Sequence, residues 1–382
     1  MAGPVTVNEA VDPADKKAFL DLPYRLYRGD PTWRPPLRFE RAEQINPKKN
    51  PGLANIESAY WLARRDGEVV GRCASFVNHA HLDAHKDETG HFGFLDVQED
   101  DQDAVGALIK ACEDWLRARG MKAIGGPYNF SVNEEIGMLV EGFDTPPVML
   151  MPHGRPDYPG MIEALGFEKA MDLYAYGNNL NEGYPRPAIV TKMQDYVKRS
   201  SSITMRKMRK GRFDEEIRTA LDIFNDAWSG NWGFVPFGEA QVDHMAGQLK
   251  MVIDPEGFWF GEVDGEPVVF VLMIPNLNEA THGLDGRLAP FGWAQLLWRL
   301  KVSGVKTARI PLMGARRSVQ KKRAGVALML ALFEECYAAM RARGVEWCEM
   351  SWVLETNVDV QNMILLSSAE RYKTYRMYRK EL

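Results

Sequence analysis

A short basic stretch, Arg316 to Ala327, has the residue types that could do chemistry. It reads RRSVQKKRAGVA, with five basic side chains in its first eight residues, and the apolar run ALMLALFEECYAAM overlaps its end and is typical of a helix. The first backbone N–H groups of a helix have no partner within it, and glycine lets a ligand approach them closely. Cations around such a helix start predict a site for an anion, usually a phosphate.

The same charges also fit two other interpretations. A run of charged residues is most often a solvated surface loop. A nucleic-acid contact is disfavoured, because the formal net charge of the chain is −5 and no aromatic residues alternate with the basic ones. From these residues alone, an anion site and a solvated loop both stay open.

The composition is that of an ordinary globular protein with room for two domains. The 382 residues are 45% apolar and 26% charged. The N-terminal sequence MAGPVTVNEAVDPADKK lacks the basic and apolar segments of a signal peptide, and no apolar run reaches the ~18 residues of a membrane span. We therefore expect a cytoplasmic protein with no membrane partner, and the sequence leaves its oligomeric state open.

Neither the cysteines nor the histidines predict a metal site. The cysteines have no paired spacing, which disfavours a disulfide framework or a zinc knuckle and favours small buried side chains: Cys73, Cys112, Cys336 and Cys348. The segment NHAHLDAHKDETGH, which starts at Asn78, is rich in His and Asp. Because it follows a predicted hairpin, we interpret it as a polar connection between strands.

The second half of the chain repeats the first. The sequence LDLPYRLYRGDPTWRPP from Leu20 matches LDIFNDAWSGNWGFVPF from Leu221, and an Asp-Gly-Glu turn at 66–68 recurs at 264–266. The tetrapeptide RARG at 117–120 recurs at 341–344. Matches in the same order indicate a duplication, and the Asp-Gly turns predict a β-hairpin in each copy.

The two copies differ in charge at the position of the basic loop. Arg316–Ala327 is matched in the first copy by FGFLDVQEDDQD, residues 92–103, which is acidic. We therefore expect only the second copy to hold a multiply charged phosphate. The polar, proline-containing region 181–202 is the predicted linker between domains at 1–180 and 203–382.

The second copy carries a resemblance to a known family. Lys322-Arg323-Ala324-Gly325-Val326-Ala327 resembles the acyl-CoA pyrophosphate loop of the GNAT superfamily of N-acyltransferases, whose pattern is Gln/Arg-x-x-Gly-x-Gly/Ala; lysine stands here at the first position. The resemblance covers both halves. It implies an α/β fold of the α+β type, with two tandem GNAT-like domains, each a mixed, mostly antiparallel sheet flanked by helices, of which the first is degenerate.

The resemblance also implies a cofactor, acetyl-CoA or another acyl-CoA, bound in the second domain. Its phosphates would contact the backbone of the loop from Lys322 to Ala327. Its pantetheine arm would follow the strand TARIPLMGA at three residues, Leu312, Met313 and Gly314. Asn357 could hydrogen-bond the pantetheine or the acyl carbonyl, or it could simply form a turn.

The activity implied is acyl transfer from the thioester to an amine, carried by a small molecule or a peptide. GNAT-like enzymes often use a tyrosine on the helix after the strand ending at Asn357, but VDVQNMILLSS has none. We predict Tyr372 as the acid that protonates the leaving thiolate and Glu355 as a base acting through water. The acceptor pocket is expected in FNDAWSGNWGFVPF, with these substrate residues: Asn225, Trp228, Asn231 and Trp232.

Two other functions stay open from the sequence. The missing motif tyrosine also fits a non-catalytic protein that binds a CoA ester or a partner. Tandem GNAT-like folds also occur in aminoacyl-tRNA-dependent transferases, in which the basic loop would contact RNA phosphates. The net charge of −5 disfavours this third function. The acceptor and the acyl chain length are not indicated by any residue pattern.

Overall fold

The computed structural model describes residues 3–181, 186–238, 241–243, 246–247, 250 and 253–382. The chain divides into two compact units. Unit 1 comprises Met1–Leu173, Thr281–Arg287 and Lys373–Leu382, and unit 2 comprises Tyr174–Ala280 and Leu288–Tyr372. The C-terminal residues therefore belong to unit 1, although they follow almost all of unit 2 in the sequence.

Unit 1 is a mixed sheet with helices. Its strands are β1 (Val5–Glu9), β2 (Ile56–Arg65), β3 (Glu68–Asn78), β4 (Thr89–Val97), β5 (Ala123–Gly126), β6 (Met138–Glu141) and the first half of β7 (Glu168–Asn179). Its helices are α1 (Pro13–Leu26), α2 (Arg38–Gln44), α3 (His79–His85), α4 (Gln102–Arg117) and α5 (Tyr158–Glu163). The strand order is β1-β2-β3-β4-β5, antiparallel as far as β4 and parallel between β4 and β5.

Unit 2 repeats this arrangement. Its strands are the second half of β7, β8 (Ile203–Lys207), β9 (Phe258–Val263), β10 (Glu266–Pro275), β11 (Thr307–Ala315) and β12 (Trp347–Leu354). Its helices are α6 (Ala188–Arg199), α7 (Phe213–Trp228), α8 (Leu277–Ala280), α9 (Gly292–Trp298), α10 (Arg323–Arg341) and α11 (Val358–Leu366). The order is β8-β9-β10-β11-β12, antiparallel as far as β11 and parallel between β11 and β12.

The duplication is visible in matched local details. The hairpins β2–β3 and β9–β10 turn at Asp66-Gly67 and Asp264-Gly265, where all four residues have positive φ, as the favoured two-residue turn requires. The long helices α4 and α10 each end shortly before a glycine with positive φ, Gly120 and Gly344. The predicted fold class, with two tandem α+β domains and mixed, mostly antiparallel sheets, is confirmed.

The last strand, β13 (Glu370–Glu381), contains the aromatic-rich sequence RYKTYRMY, which is typical of a strand. From Lys373 onwards it lies in unit 1, where Tyr378 pairs with Gly126 of β5 and Arg376 with Met138 of β6. Arg376 is also ion-paired with Asp172 of β7 at 2.8 Å. Unit 1 therefore completes its sheet with the end of the chain.

The domain boundaries at 180 and 203 stay a prediction. Residues 182–185 of the predicted linker lie outside the described residues. Within the same segment, Ala188–Arg199 forms α6, a helix of unit 2 that buries Val190 and Val197.

The core of unit 2 centres on α10. Its side chains are apolar on nearly all sides, and Ala331, Leu332 and Phe333 are fully buried. Burial of each large apolar side chain stabilises the fold by about 1.5–3 kcal/mol. Cys336, on the same helix, is buried like the other three cysteines, as predicted. The packed body of α10 fixes the place of its first turn, where the basic loop lies.

Candidate active site

Strands β11 and β12 are paired only over their first halves in unit 2, and we call the region between their unpaired carboxyl ends the gap. Their parallel pairing runs from Thr307 with Trp347 to Ile310 with Met350, and among the described residues no further pair follows. The predicted pantetheine strand, Leu312–Gly314, lies just beyond this point. Its opposite edge stays paired with β10. Backbone groups on the edge facing the gap must find partners other than β12.

The basic loop leads into the first turn of α10. Lys322 occupies the N-cap position but makes no side-chain hydrogen bond to the helix, and the first turn holds no acidic residue. Lys321, Lys322 and Arg323 are exposed there. The guanidinium of Arg323 also lies over the ring of Tyr196, 4.2 Å from its centre. A first turn without a side-chain cap, surrounded by cations, is the arrangement that binds phosphate groups.

The loop is fastened to α7 by its first two arginines. The Arg316 side chain is ion-paired with Asp222 at 2.6 Å, and the backbone N–H of Arg317 donates to Asp226 at 2.8 Å. Arg316 therefore helps to fold the loop. Arg316 is therefore not one of the cations available at the helix start, and those cations are the basic residues nearest α10.

Gly325 permits the loop to pass close to the helix. A Cβ atom at this position would lie 2.2 Å from the backbone oxygen of Val319. The path of the loop therefore requires the glycine of the acyl-CoA loop pattern at this position, whether or not a ligand is bound. Val326 and Ala327 continue the helix, and Ala327 is fully buried.

The matching helix of unit 1 has a carboxylate of its own chain at its start. Asp101 is the N-cap of α4; its side chain accepts from the N–H of Ala104 at 3.0 Å and pairs with Arg65 at 2.8 Å. Asp96, which precedes this loop at the end of β4, pairs with Arg72 at 2.7 Å. The charge contrast between the copies therefore has a structural basis, because in unit 1 a carboxylate occupies the place that a phosphate would take. The sequence comparison did not anticipate that arginines from β2 and β3 neutralise part of this charge.

Trp228, predicted to line the acceptor pocket, lies beside the predicted cofactor strand. It is the last residue of α7, and its indole N–H donates to the backbone oxygen of Met313 at 3.1 Å. Its ring stacks on Phe224 with 5.1 Å between ring centres and meets Trp352 of β12 edge to face at 5.6 Å. One side chain thus contacts residues of both strands beyond the point where they separate.

The other predicted substrate residues shape the chain after α7. The Asn225 side chain accepts from the N–H of Phe237 at 3.3 Å. The N–H of Asn231 donates to the backbone oxygen of Trp228 at 2.9 Å, in the turn that also contains the half-buried Trp232. Asn225 and Asn231 thus make local structural contacts, and the role of all three in binding an acceptor stays a prediction.

A buried polar cluster lies where β11 and β12 are still paired, and only its member Tyr372 was predicted from the sequence. Glu349, fully buried in β12, accepts hydrogen bonds from the hydroxyls of Ser351 and Tyr372. Arg309, its register partner on β11, donates to the Ser351 hydroxyl and backbone oxygens at 3.1 Å each. Tyr372 was predicted as an acid, and the structure gives it a buried carboxylate as partner. One charged residue within each of two otherwise apolar or neutral strand segments was the available signal.

Glu355 and Asn357 lie in the connection from β12 to α11. Asn357 is the N-cap of α11, and its side chain accepts from the N–H of Val360 at 3.3 Å. The backbone oxygen of Glu355 accepts from the side chain of Gln361 at 2.9 Å. The turn-forming interpretation accounts for this contact of Asn357. Its contact with a ligand, and the role of Glu355 as a base, stay predictions.

The histidine-rich segment forms α3 and the start of β4 in unit 1. His81 contacts Asp87 at 3.2 Å, and its ring lies 4.6 Å from that of His85 and 4.7 Å from that of His91. His91 is buried, and its desolvation, followed by the nearby His81, lowers the pKa of its imidazole to about 3. Within the described residues, no group of His, Cys, Asp or Glu side chains is arranged to hold a metal ion.

Two curated proteins are similar to this chain over nearly its whole length. The protein YghO of Escherichia coli K12 is 43% identical over 368 residues, which cover 96% of this chain and 93% of that protein. The bacterial ceramide synthase of Caulobacter vibrioides is 43% identical over 374 residues, which cover 97% of this chain and 96% of that protein. No model of a protein family matches the chain.

Solved structures with the same fold are tandem GNAT proteins and relatives of them. A tandem GNAT protein from the clavulanic acid biosynthesis pathway superposes with a TM-score of 0.56 at 12% identity, covering 99% of this chain and 98% of the other. A GCN5-related N-acetyltransferase from Sphaerobacter thermophilus gives a TM-score of 0.51 at 14% identity, covering 99% and 95%. The chain therefore has the tandem GNAT fold, and it belongs to the same family as YghO and the bacterial ceramide synthase.

Proposed function

We propose that this chain transfers an acyl group from a CoA thioester to the amino group of a long-chain amine, with the cofactor bound in unit 2. The observation that carries the proposal is the first turn of α10, which has no side-chain cap and lies among Lys321, Lys322 and Arg323. The backbone N–H groups of this turn would hold the pyrophosphate of CoA. Residues Leu312–Gly314 would hold the pantetheine arm along the edge of β11 that is not paired with β12.

The acceptor class follows from one relative together with the aromatic side chains at the gap. The Caulobacter relative is named a ceramide synthase, and a ceramide is the amide of a fatty acid and a long-chain amino alcohol. Trp228 and Trp352 are half-buried and meet edge to face, with the buried Phe224 stacked on Trp228, and such an aromatic surface suits an alkyl chain. We therefore place the acceptor among lipid amines and the donor among long-chain acyl-CoA thioesters, with acetyl-CoA as the short alternative.

Amide formation needs proton transfers that Tyr372 and Glu349 are suited to carry. The ammonium must lose a proton before its nitrogen attacks the thioester carbonyl, and the thiolate must gain one when the carbon–sulfur bond breaks. Tyr372 already donates its hydroxyl proton to Glu349, so its oxygen is oriented as an acceptor. The ammonium proton passes through Tyr372 to Glu349 and returns by the same route to the thiolate, while the amide nitrogen releases its second proton to water.

This role for Tyr372 differs from the purely acidic one expected from the sequence. Arg309 and Ser351 hold the carboxylate side of the pair, because the Ser351 hydroxyl donates to Glu349 and Arg309 donates to Ser351. A relay of this kind needs a fixed geometry, which the burial of Arg309 and Glu349 supplies.

Calorimetric titration with CoA and with palmitoyl-CoA tests the cofactor site. Lys322→Glu combined with Arg323→Glu should weaken binding at least tenfold, since both cations lie at the helix start. The matched control is Lys48→Glu combined with Lys49→Glu, an exposed pair in unit 1 that changes the net charge equally. Equal affinity of both double variants would contradict the site. Binding without release of free CoA, when a long-chain amine is added, would favour a non-catalytic binding protein.

A further inference from the structure

Unit 2 carries a short helix whose apolar side chains remain open to solvent. Residues Gly292–Trp298 form α9, and the helix continues over Arg299–Ser303 as a π-helix, which has more residues in each turn. None of these residues is buried. Phe291, Trp293 and Trp298 are 77%, 55% and 60% exposed, and Leu297 and Val302 are similarly exposed. Large apolar side chains exposed together indicate a surface that something else covers.

We name the exposed apolar side chains of this segment the aromatic patch: Phe291, Trp293, Leu297, Trp298 and Val302. Each residue turns an α-helix by about 100°, so Trp293 and Leu297 lie side by side, and Trp298 lies roughly 100–140° further round the helix. The helix is fastened to unit 2, because the side chain of Arg299 donates to the backbone oxygen of Ala280 at 2.9 Å. The aromatic patch is therefore presented at a defined place in unit 2.

The charges around the aromatic patch favour a negatively charged partner surface. From Leu288 to Val305 the sequence contains Arg299 and Lys301 and no acidic residue, although the whole chain has a net charge of −5. Lys306, which follows, is ion-paired with Glu346 at 2.6 Å. Tryptophan is enriched at the interface between bilayer and water, and lysine and arginine are attracted to anionic lipid headgroups. A two-fold contact with a second copy would instead bring the basic residues of both copies together, which is unfavourable.

The length of the helix restricts how it can meet a bilayer. The helical residues 292–303 extend over roughly 18 Å, against a hydrocarbon thickness of about 30 Å. In the described part of the chain, no helix combines the length and the apolar character needed to cross a membrane. Helix 292–303 can therefore lie in the plane of the interface, with its apolar side chains inserted among the headgroups.

We propose that the aromatic patch binds the surface of a bilayer containing anionic lipids. This revises the expectation of no membrane partner that the sequence suggested. The proposal goes beyond the proposed acyl transfer, since binding to vesicles requires neither the cofactor nor the reaction. If the acceptor is a lipid amine, as proposed above, the aromatic patch also brings unit 2 to the surface where that acceptor resides.

Co-sedimentation with vesicles of phosphatidylcholine alone, or with one quarter phosphatidylglycerol, tests this. The full chain should bind the anionic vesicles several-fold more strongly. Trp293→Ser combined with Trp298→Ser should weaken binding to both at least fivefold, and Lys301→Glu should weaken binding to the anionic vesicles only. The matched control is Phe39→Ser, an aromatic residue 49% exposed on α2 of unit 1, which should bind like the original chain.

Two outcomes would overturn the proposal. One is equal vesicle binding by the tryptophan double variant and the original chain, or no vesicle binding by either. The other is a dimer in analytical ultracentrifugation that the double variant converts to a monomer without any change at vesicles, which would assign the aromatic patch to a second copy. The circular dichroism spectrum of the double variant and its affinity for CoA should be unchanged. These two measurements distinguish a failure of the proposed acyl transfer from a failure of membrane binding.

Discussion

The indole N–H of Trp228 donates to the backbone oxygen of Met313, and this contact joins the end of α7 to the strand predicted to hold the pantetheine arm. The ring also meets Trp352 on the neighbouring strand. In the proposed reaction, Trp228 lies where the thioester and the incoming amine meet.

Two substitutions of Trp228 should distinguish the contribution of its hydrogen bond from the contribution of its apolar ring. Trp228→Phe keeps an aromatic ring but loses the hydrogen bond to Met313, at a cost of about 1 kcal/mol in the free energy of unfolding. Trp228→Ala also removes the apolar wall and should raise the KM for a long-chain amine at least tenfold, with the Kd for CoA changed less than threefold. Steady-state kinetics and calorimetry measure both. A changed Kd with an unchanged KM would place Trp228 in the cofactor site instead.

The pair Tyr372 and Glu349 gives a prediction about the reaction rate. Tyr372→Phe removes the hydroxyl that contacts Glu349 and should lower kcat about a hundredfold, as expected for loss of a proton-transfer group. The Kd for CoA should not change. Tyr174→Phe, at a half-buried tyrosine of β7 in the same unit, serves as the control and should keep kcat. If Tyr372→Phe keeps full activity, proton transfer must be sought elsewhere, with Glu355 as the next candidate.

Local features of the active-site region could be predicted from the sequence, and contacts between distant segments could not. The start of α10, its glycine and the opposite charge of the matching loop are encoded within a dozen residues. The contact of Tyr372 with Glu349 depends on how β12 and the start of β13 are packed, which no short pattern encodes. The same holds for β13, whose aromatic-rich sequence favours a strand but does not specify its partner.

A side chain at position 325 should be destabilising, whereas a side chain in place of a glycine in the matching helix α4 should be tolerated. Gly325→Ala would place a Cβ atom 2.2 Å from the Val319 backbone oxygen, so the loop must move. We expect a loss of about 1–3 kcal/mol in the free energy of unfolding and weaker CoA binding. Gly106→Ala in α4 has only an ordinary contact at 3.7 Å and should stabilise by up to about 1 kcal/mol. Urea denaturation compares the two, and similar effects at both positions would contradict the close-packed loop.

Asp101 should matter for stability and not for cofactor binding. Asp101→Asn keeps a capping oxygen for the N–H of Ala104, while Asp101→Ala removes it and should cost about 1 kcal/mol. Neither variant should change the Kd for CoA more than twofold, because the proposed site lies in unit 2. Tighter CoA binding or a second binding event in Asp101→Ala would show that unit 1 can accept the cofactor once its carboxylate is removed.

The burial of His91 allows a prediction of how the free energy of unfolding depends on pH. It is buried in β4 beside Phe76, His81 and Tyr128, with Asp87 nearby, and burial lowers its pKa from 6.5 to about 3. The unfolded chain therefore binds a proton below pH 6.5 that the folded chain does not, so stability falls as the pH decreases from about 6.5 towards 3. For His91 alone, the loss in the free energy of unfolding between neutral pH and pH 5 is about 2 kcal/mol.

Urea denaturation at pH 7, 6 and 5 measures this loss. It should be smaller for His91→Phe, whatever the absolute stability of that variant, and unchanged for the exposed control His79→Gln. If His91→Phe loses as much stability as the original chain over this range, the imidazole is not held neutral by burial, and the acid sensitivity must come from other groups such as His153, whose pKa is also lowered by burial.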